Sequence, residues 1–193
     1  MANKGRARVL SVQDFARFKD FLSTQRHSEC LIAIACIGYY VGLRVGTIAG
    51  LRIEDVIDHK GNVRNEVLIR GEINKFKKQI TTYFEHPELI SSIVTYLESR
   101  RSTKVQNLFV TQKNTAYSAK SMSALMQQKF IQAGFTEGYS MHSLRRSFSS
   151  RIVEAGGDIT LLKSLMGHEN ISTTAIYVEN DPNTLRNMLR SVD

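Results

Sequence analysis

The segment "MHSLRRSFSSRIVEAGGDITLLKSLMGHENISTTAIYV", residues 141–178, decides how the chain is read. It opens on a helix that should start near Ser140 and that carries His142 and Arg145 three positions apart. At that spacing the two side chains share one face and can converge on one ligand. The exposed N–H groups and dipole at the start of such a helix favour an anion. Gly156, Gly157 and Gly167 are natural helix stops, so the segment divides into "SMHSLRRSFSSRIVEAGG", "DITLLKSLMGH" and "STTAIYV". His168 follows the last of these glycines and could serve as a helix cap or as a hydrogen-bond donor to a substrate. Tyr177, nine positions later, could be a core aromatic or a reactant. Arg145 could equally pair with an acid while His142 packs on the surface. The segment alone leaves each choice open.

Composition narrows the field. With 193 residues, 42% of them apolar and only two prolines, the chain suits one globular domain. The longest apolar run, Cys30 to Leu43, is too short to span a bilayer and is interrupted by a tyrosine pair and glycines, so it reads as a buried core helix. No apolar stretch follows the basic residues of "MANKGRARVL", which excludes a signal peptide and points to the cytoplasm. Cys30 and Cys36 fall on different faces of the apolar helix and read as reduced core residues. The five histidines are scattered, none beside a cysteine or carboxylate at ligand spacing, so neither a metal nor a cofactor is expected. Twenty-six basic against eighteen acidic residues give a net charge of +8, which points to a polyanionic partner.

Apolar periodicity predicts a helix over Ser11–Ser23 with Ser11 as N-cap, then the core helix from about Ser28 to Tyr40. "VGLRVGTIAGLRIEDV" breaks at Gly42 and passes through a short helix, and "LRIEDVID" reads as a first strand. "GNVRNEVLIR" and "QITTYFEH" read as a hairpin around the basic turn "GEINKFKK". Helices follow at "PELISSIVTYLESR", "AKSMSALMQQKFIQAGF", the segment already quoted and a terminal "DPNTLRNMLRSV". The expected fold is mainly α with a small antiparallel β-sheet of about three strands. Arg44, in "GLRVG", stands between the most apolar helix and a glycine-punctuated turn. A charge so near the core needs a partner, either helix-end carbonyls or a substrate.

In order along the chain stand an arginine, a basic hairpin, His-x-x-Arg, Leu/Met-Gly-His and Thr-x-x-Tyr. This set resembles the tyrosine recombinase (phage integrase) family over about residues 10–180, through "GLRVGTIAGLRIEDV", "HSLRRSFSSRIVEAGGDITLLKSLMGH" and "ISTTAIYV". The resemblance implies the DNA breaking-rejoining catalytic fold and assigns Arg44 and Arg145 as phosphate-clamping arginines. It places His142 and His168 at the family's two histidine positions and Tyr177 at the nucleophile. The family's hairpin lysine matches Lys75, at the end of the ascending strand, with Lys77 and Lys78 as alternatives and Gln79 where a basic residue is usual.

The implied activity is site-specific recombination through a 3′-phosphotyrosine, without metal or ATP. The implied partners are double-stranded DNA with inverted-repeat core sites and a homo-tetramer on two such sites, formed from protomers that are monomers or weak dimers when free. Accessory DNA-bending proteins and a nucleoid-associated location fit the same resemblance. Three further features depart from the family's pattern. Thr47 stands where a glutamate is frequent, Arg146 where a histidine is frequent, and the N-terminal core-binding domain is expected to be absent, as in the short fimbrial-switch recombinases. Residues 1–193 are therefore expected to form a single catalytic domain. In it, residues 1–10 would be a basic arm, and residues 181–193 a helix that docks on a neighbouring protomer. A complete short protein is favoured over a catalytic fragment. Two other functions share these residues: relaxation of the type IB topoisomerase kind, and a DNA-binding regulator that no longer cuts.

Overall fold

In the computed structural model, residues 7–75, 77–100, 104–135, 137–157 and 162 are described. The first helix, α1 (Val12–Ser23), begins where its sequence says it should. The Ser11 hydroxyl accepts the Asp14 N–H at 3.0 Å, and Asp14 reaches back to the N-cap. Phe15, Phe18 and Leu22 of this helix are buried. The next helix, α2 (Ser28–Tyr40), is apolar on every side and buries nine of its residues, as a helix does when other elements surround it. It packs against α1, against α5 (Pro87–Ser99) and against α7 (Met141–Glu154). The α2–α7 crossing is close because Gly38 lies opposite Leu144, whose Cβ would stand 3.0 Å from a Cβ added at the glycine. Both cysteines are free and buried, and burial pushes their thiols up to about 12 for Cys30 and about 11 for Cys36.

Two short helices follow, α3 (Val45–Gly50) and α4 (Ile53–Val56), and α3 leans on α6 (Ala119–Gln132). Here the structure corrects an expectation. "LRIEDVID" is not a strand, because the Asp55 carboxylate accepts the Arg52 N–H at 2.8 Å and closes one turn of helix. Ile57 N–H then donates to the Ile53 carbonyl at 2.8 Å. Only the flanking residues pair in sheet fashion, as isolated bridges from Arg52 to Asn107 and from Ile57 to Val63. The sheet among the described residues therefore has two strands, β1 (Glu66–Ile69) and β2 (Ile80–Tyr83), antiparallel with Glu66 opposite Tyr83 and Ile69 opposite Ile80. Val67 and Ile69 point into the core, while Leu68 is half exposed.

Ser140 starts α7 by accepting the His142 N–H at 3.2 Å, and Gly156 follows the helix at φ +80°, a conformation open to glycine. Three bonds hold the chain before α1 to this region. Leu10 N–H donates to Ser147 Oγ at 2.7 Å, Arg8 N–H to the Gly138 carbonyl at 2.8 Å, and Arg146 Nη1 to the Ala7 carbonyl. The helices expected at "DITLLKSLMGH", "STTAIYV" and "DPNTLRNMLRSV" lie outside the described residues except for Leu162, which is helical and buried. Among the described residues no helix is long and apolar enough to cross a membrane.

Candidate active site

The site forms where α2 ends and α3 begins. The chain leaves α2 through Gly42, at φ +69°. A side chain there would be strained and would also strike the Phe148 ring, whose Cδ1 lies 2.4 Å from the position of an added Cβ. This tight exit aims the Gly42 carbonyl at α7, where Arg145 Nη1 donates to it. Arg145 is only 8% exposed, and this bond satisfies part of a guanidinium that would otherwise be costly to bury. Two residues past the glycine, Arg44 is the extended N-cap of α3, and its carbonyl accepts the Ile48 N–H at 2.9 Å.

Arg44, Lys75, His142 and Arg145 line one cavity of about 250 Å³, with Thr47, Ile73 and Met141 among its other walls. Four of the six residues singled out by the sequence thus converge, from the start of α3, the hairpin turn and the first two turns of α7. His168 and Tyr177 lie outside the described residues. Of the three hairpin lysines, Lys75 lines the cavity and Lys77 and Lys78 do not. Lys77 instead has a left-handed backbone at φ +55°, and the Lys78 carbonyl accepts the Asn74 side chain at 2.7 Å. A wall with three permanently or readily cationic side chains and a histidine at a helix N-terminus is suited to a phosphodiester. Among the described residues no group of three or more His, Cys, Asp or Glu side chains could hold a metal.

The described tyrosines, Tyr39, Tyr40, Tyr83, Tyr96, Tyr117 and Tyr139, do not line the cavity. Tyr39 and Tyr40 end the helix that leads into Arg44. Burial pushes the Tyr40 phenol up to about 12, and its hydroxyl donates to Glu88 Oε2. Tyr39 is also raised by burial, with the Arg151 guanidinium 4.6 Å from its ring centre. Both phenols stay protonated and turned into the fold.

Sequence reasoning missed the residues that hold the site together. Gly42 registers in the sequence only as a helix break, and nothing there shows that its carbonyl receives Arg145. Thr47 registers only as a departure from a family pattern. In the structure it is 4% exposed, and its hydroxyl donates to the Ile73 carbonyl at 3.1 Å. Arg146, the other departure, points away from the cavity and binds the N-terminal arm.

Residues 8–184 match the profile of the phage integrase family. Tyrosine recombinase XerD of Rickettsia bellii (strain RML369-C) is 31% identical over 193 residues, covering 94% of this chain and 62% of that protein. The chain thus spans less than two thirds of that relative's length. Among solved structures, XerA recombinase superposes with a TM-score of 0.79 at 23% identity, over 97% of this chain and 64% of that one. XerH site-specific recombinase, crystallised on its difH substrate, gives 0.74 at 20% identity over 99% of this chain and 56% of that one. At these identities the two structures establish the fold.

Proposed function

Since the chain belongs to the phage integrase family, we propose that it is a site-specific DNA recombinase, cleaving and rejoining DNA through a 3′-phosphotyrosine intermediate. The observation behind this reading is the convergence of Arg44, Lys75, His142 and Arg145 on one cavity. The exclusion of the six described tyrosines from that cavity supports the seventh, Tyr177, as nucleophile.

In the proposed step the Tyr177 oxygen bonds to phosphorus while the bond from phosphorus to the 5′ oxygen breaks. The phenol has an ordinary pKa of about 10, so its proton must be taken by a neighbour, here His142. The leaving 5′ oxygen takes a proton from the Lys75 ammonium. Negative charge on the nonbridging oxygens is met by the Arg44 and Arg145 guanidiniums, with a further hydrogen bond from His168. Removing one such donor from a preorganised site lowers the rate by about 10²–10³. The new ester stores the energy of the broken one, so a 5′ hydroxyl from another strand can reverse the attack without metal or ATP.

Strand exchange needs two cut duplexes. The reading therefore includes a homo-tetramer on two inverted-repeat DNA sites, with the 181–193 helix docking between protomers. The XerH relative's complex with its substrate supports duplex DNA as partner, as does the charge of +8.

The test is covalent capture. The protein is incubated with its native flanking DNA, denatured in detergent, and the DNA end linked to it is mapped. A 3′-linked adduct at one discrete sequence, absent from Tyr177→Phe, is the expected result. Specific binding with no adduct would replace this reading by that of a DNA-binding regulator. Plasmid relaxation without strand exchange would replace it by topoisomerase chemistry.

A further inference from the structure

Lys75 sits in the ten-residue connection between β1 and β2, where a long side chain on a loose loop would sample many positions. The structure shows that connection folded on itself and docked. Ile73 N–H donates to the Arg70 carbonyl at 3.2 Å, Asn74 N–H to that of Gly71 at 3.2 Å, and Lys77 N–H to that of Asn74 at 3.0 Å. The Asn74 side chain, 4% exposed, closes the loop onto the Lys78 carbonyl. Gly71 permits this closure, since an added Cβ would lie 2.8 Å from the Lys77 carbonyl oxygen.

The docking surface is one face of α3. Arg44, Thr47 and Gly50 recur every three residues, so they lie in a row along the helix. Arg44 ends the row at the cavity. Thr47 donates its hydroxyl to the Ile73 carbonyl. Gly50 offers bare backbone to the Ile73 side chain, whose Cγ2 lies 2.5 Å from where a Cβ would stand. Ile73 is thus gripped twice, through its carbonyl and its side chain, two residues before Lys75. The helix that presents one proposed phosphate-binding arginine also fixes the loop of the proposed acid.

We propose that Thr47 is a positioning residue that sets the Lys75 ammonium at the leaving oxygen by holding the Ile73 carbonyl. This rests on the recombinase reading above. The bond requires a hydroxyl donor. A carboxylate at position 47, frequent in the resembling family, would face the Ile73 carbonyl without a proton to offer. The loop of this chain is accordingly tuned to a threonine or serine.

The experiment compares two nicked suicide duplexes of the mapped cleavage site, one ordinary and one with sulfur replacing the bridging 5′ oxygen. A thiolate leaves without help from an acid, because its conjugate thiol has a pKa of only about 8.5. Thr47→Val keeps the shape and removes the donor. It should slow single-turnover adduct formation about 10–100-fold on the ordinary duplex, as a displacement near 1 Å does. It should leave the sulfur duplex at the wild-type rate, and Thr47→Ser should restore the wild-type rate on the ordinary duplex. Gly50→Ala pushes Ile73 from the other side and should reproduce the same selective loss, which keeps the test intact if Thr47→Val does not fold. Equal slowing on both duplexes, or no slowing on either, overturns the positioning role. Absence of any adduct from the wild-type protein on both duplexes overturns the recombinase reading itself, and this role with it.

Discussion

Two regions meet at the cavity and are held by different forces. On one side is the crossing of α2 with α7, which delivers Arg145 and the exit toward Arg44. It is made of close apolar contact: Gly38 against Leu144, Gly42 against Phe148, and side chains with almost no exposure. On the other side is the hairpin turn that delivers Lys75. It is held by backbone turns, the Thr47 hydroxyl and an arginine. Arg70 bonds Asp55 through Nε at 3.0 Å to Oδ1 and Nη2 at 3.1 Å to Oδ2, and gives Nη2 to the Gly50 carbonyl at 2.9 Å. The contrast suits the two tasks proposed for these residues. Transition-state charge is best met by donors that do not reorganise, and the arginines are positioned by packed helices. In the proposed step the lysine hands over a proton and takes it back, and it is placed by bonds that a small displacement can make or break.

The largest effect should come from the packed side. Gly42→Ala combines a left-handed backbone with a clash against the partly buried Phe148 ring, and should destabilise the fold by about 3 kcal/mol in urea unfolding. Gly61 provides the control. It has φ +87° but nothing within 4 Å of an added Cβ, so Gly61→Ala should carry the backbone strain alone, about 1 kcal/mol. Equal losses at the two sites would mean that Phe148 yields freely and that the α2–α7 contact is looser than its geometry says.

The docked side should respond less in global stability and more in local order. Arg70→Ala leaves the Asp55 carboxylate, whose side chain is 7% exposed, with fewer partners. Because Arg70 is itself partly solvated, the expected loss is about 1–2 kcal/mol, below that of a fully buried pair. Amide exchange should accelerate at Ile73, Asn74 and Lys77, whose N–H groups close the turn, and stay unchanged at buried α2 amides. Faster exchange in α2 as well would show that turn and core open as one unit.

The sequence made the two regions unequally legible. Helix caps and apolar spacing are local, so α1, α2, α5, α6 and α7 could be placed from Ser11, Ser140 and the apolar runs. The α4 turn could not, because "LRIEDVID" owes its helix to one bond from the Asp55 side chain, which competes with a strand of similar composition. Arg44, His142 and Arg145 were legible from motif order. Among the lysines, Lys75 had to be chosen over Lys77 and Lys78. That choice depends on where the loop turns, and therefore on Gly71, Asn74 and Thr47, which meet only in three dimensions. His168 and Tyr177 rest on the sequence alone.

His86 joins the two regions and should give the smallest effect. It follows β2 and opens α5, and its ring stacks on Tyr40 of α2 at 3.8 Å between centres. Its Nδ1 accepts the Glu88 N–H at 3.3 Å, which requires that nitrogen to be unprotonated. Burial lowers its pKa, aided by the Arg151 and Lys19 charges nearby. With the folded value below the unfolded one of about 6.5, the unfolded chain binds the proton first. The contribution is therefore fully present above about pH 6.5 and is lost as the pH falls from there toward the lowered folded value. His86→Asn keeps a capping side chain that does not titrate. Between pH 7.5 and 5.5 its melting temperature should fall less than that of the wild type, by a difference below about 2 °C because the ring is exposed and screened. A larger fall in the variant would show that His86 gains rather than loses by its proton, and that the junction between hairpin and core is held by charge rather than by the stacked ring.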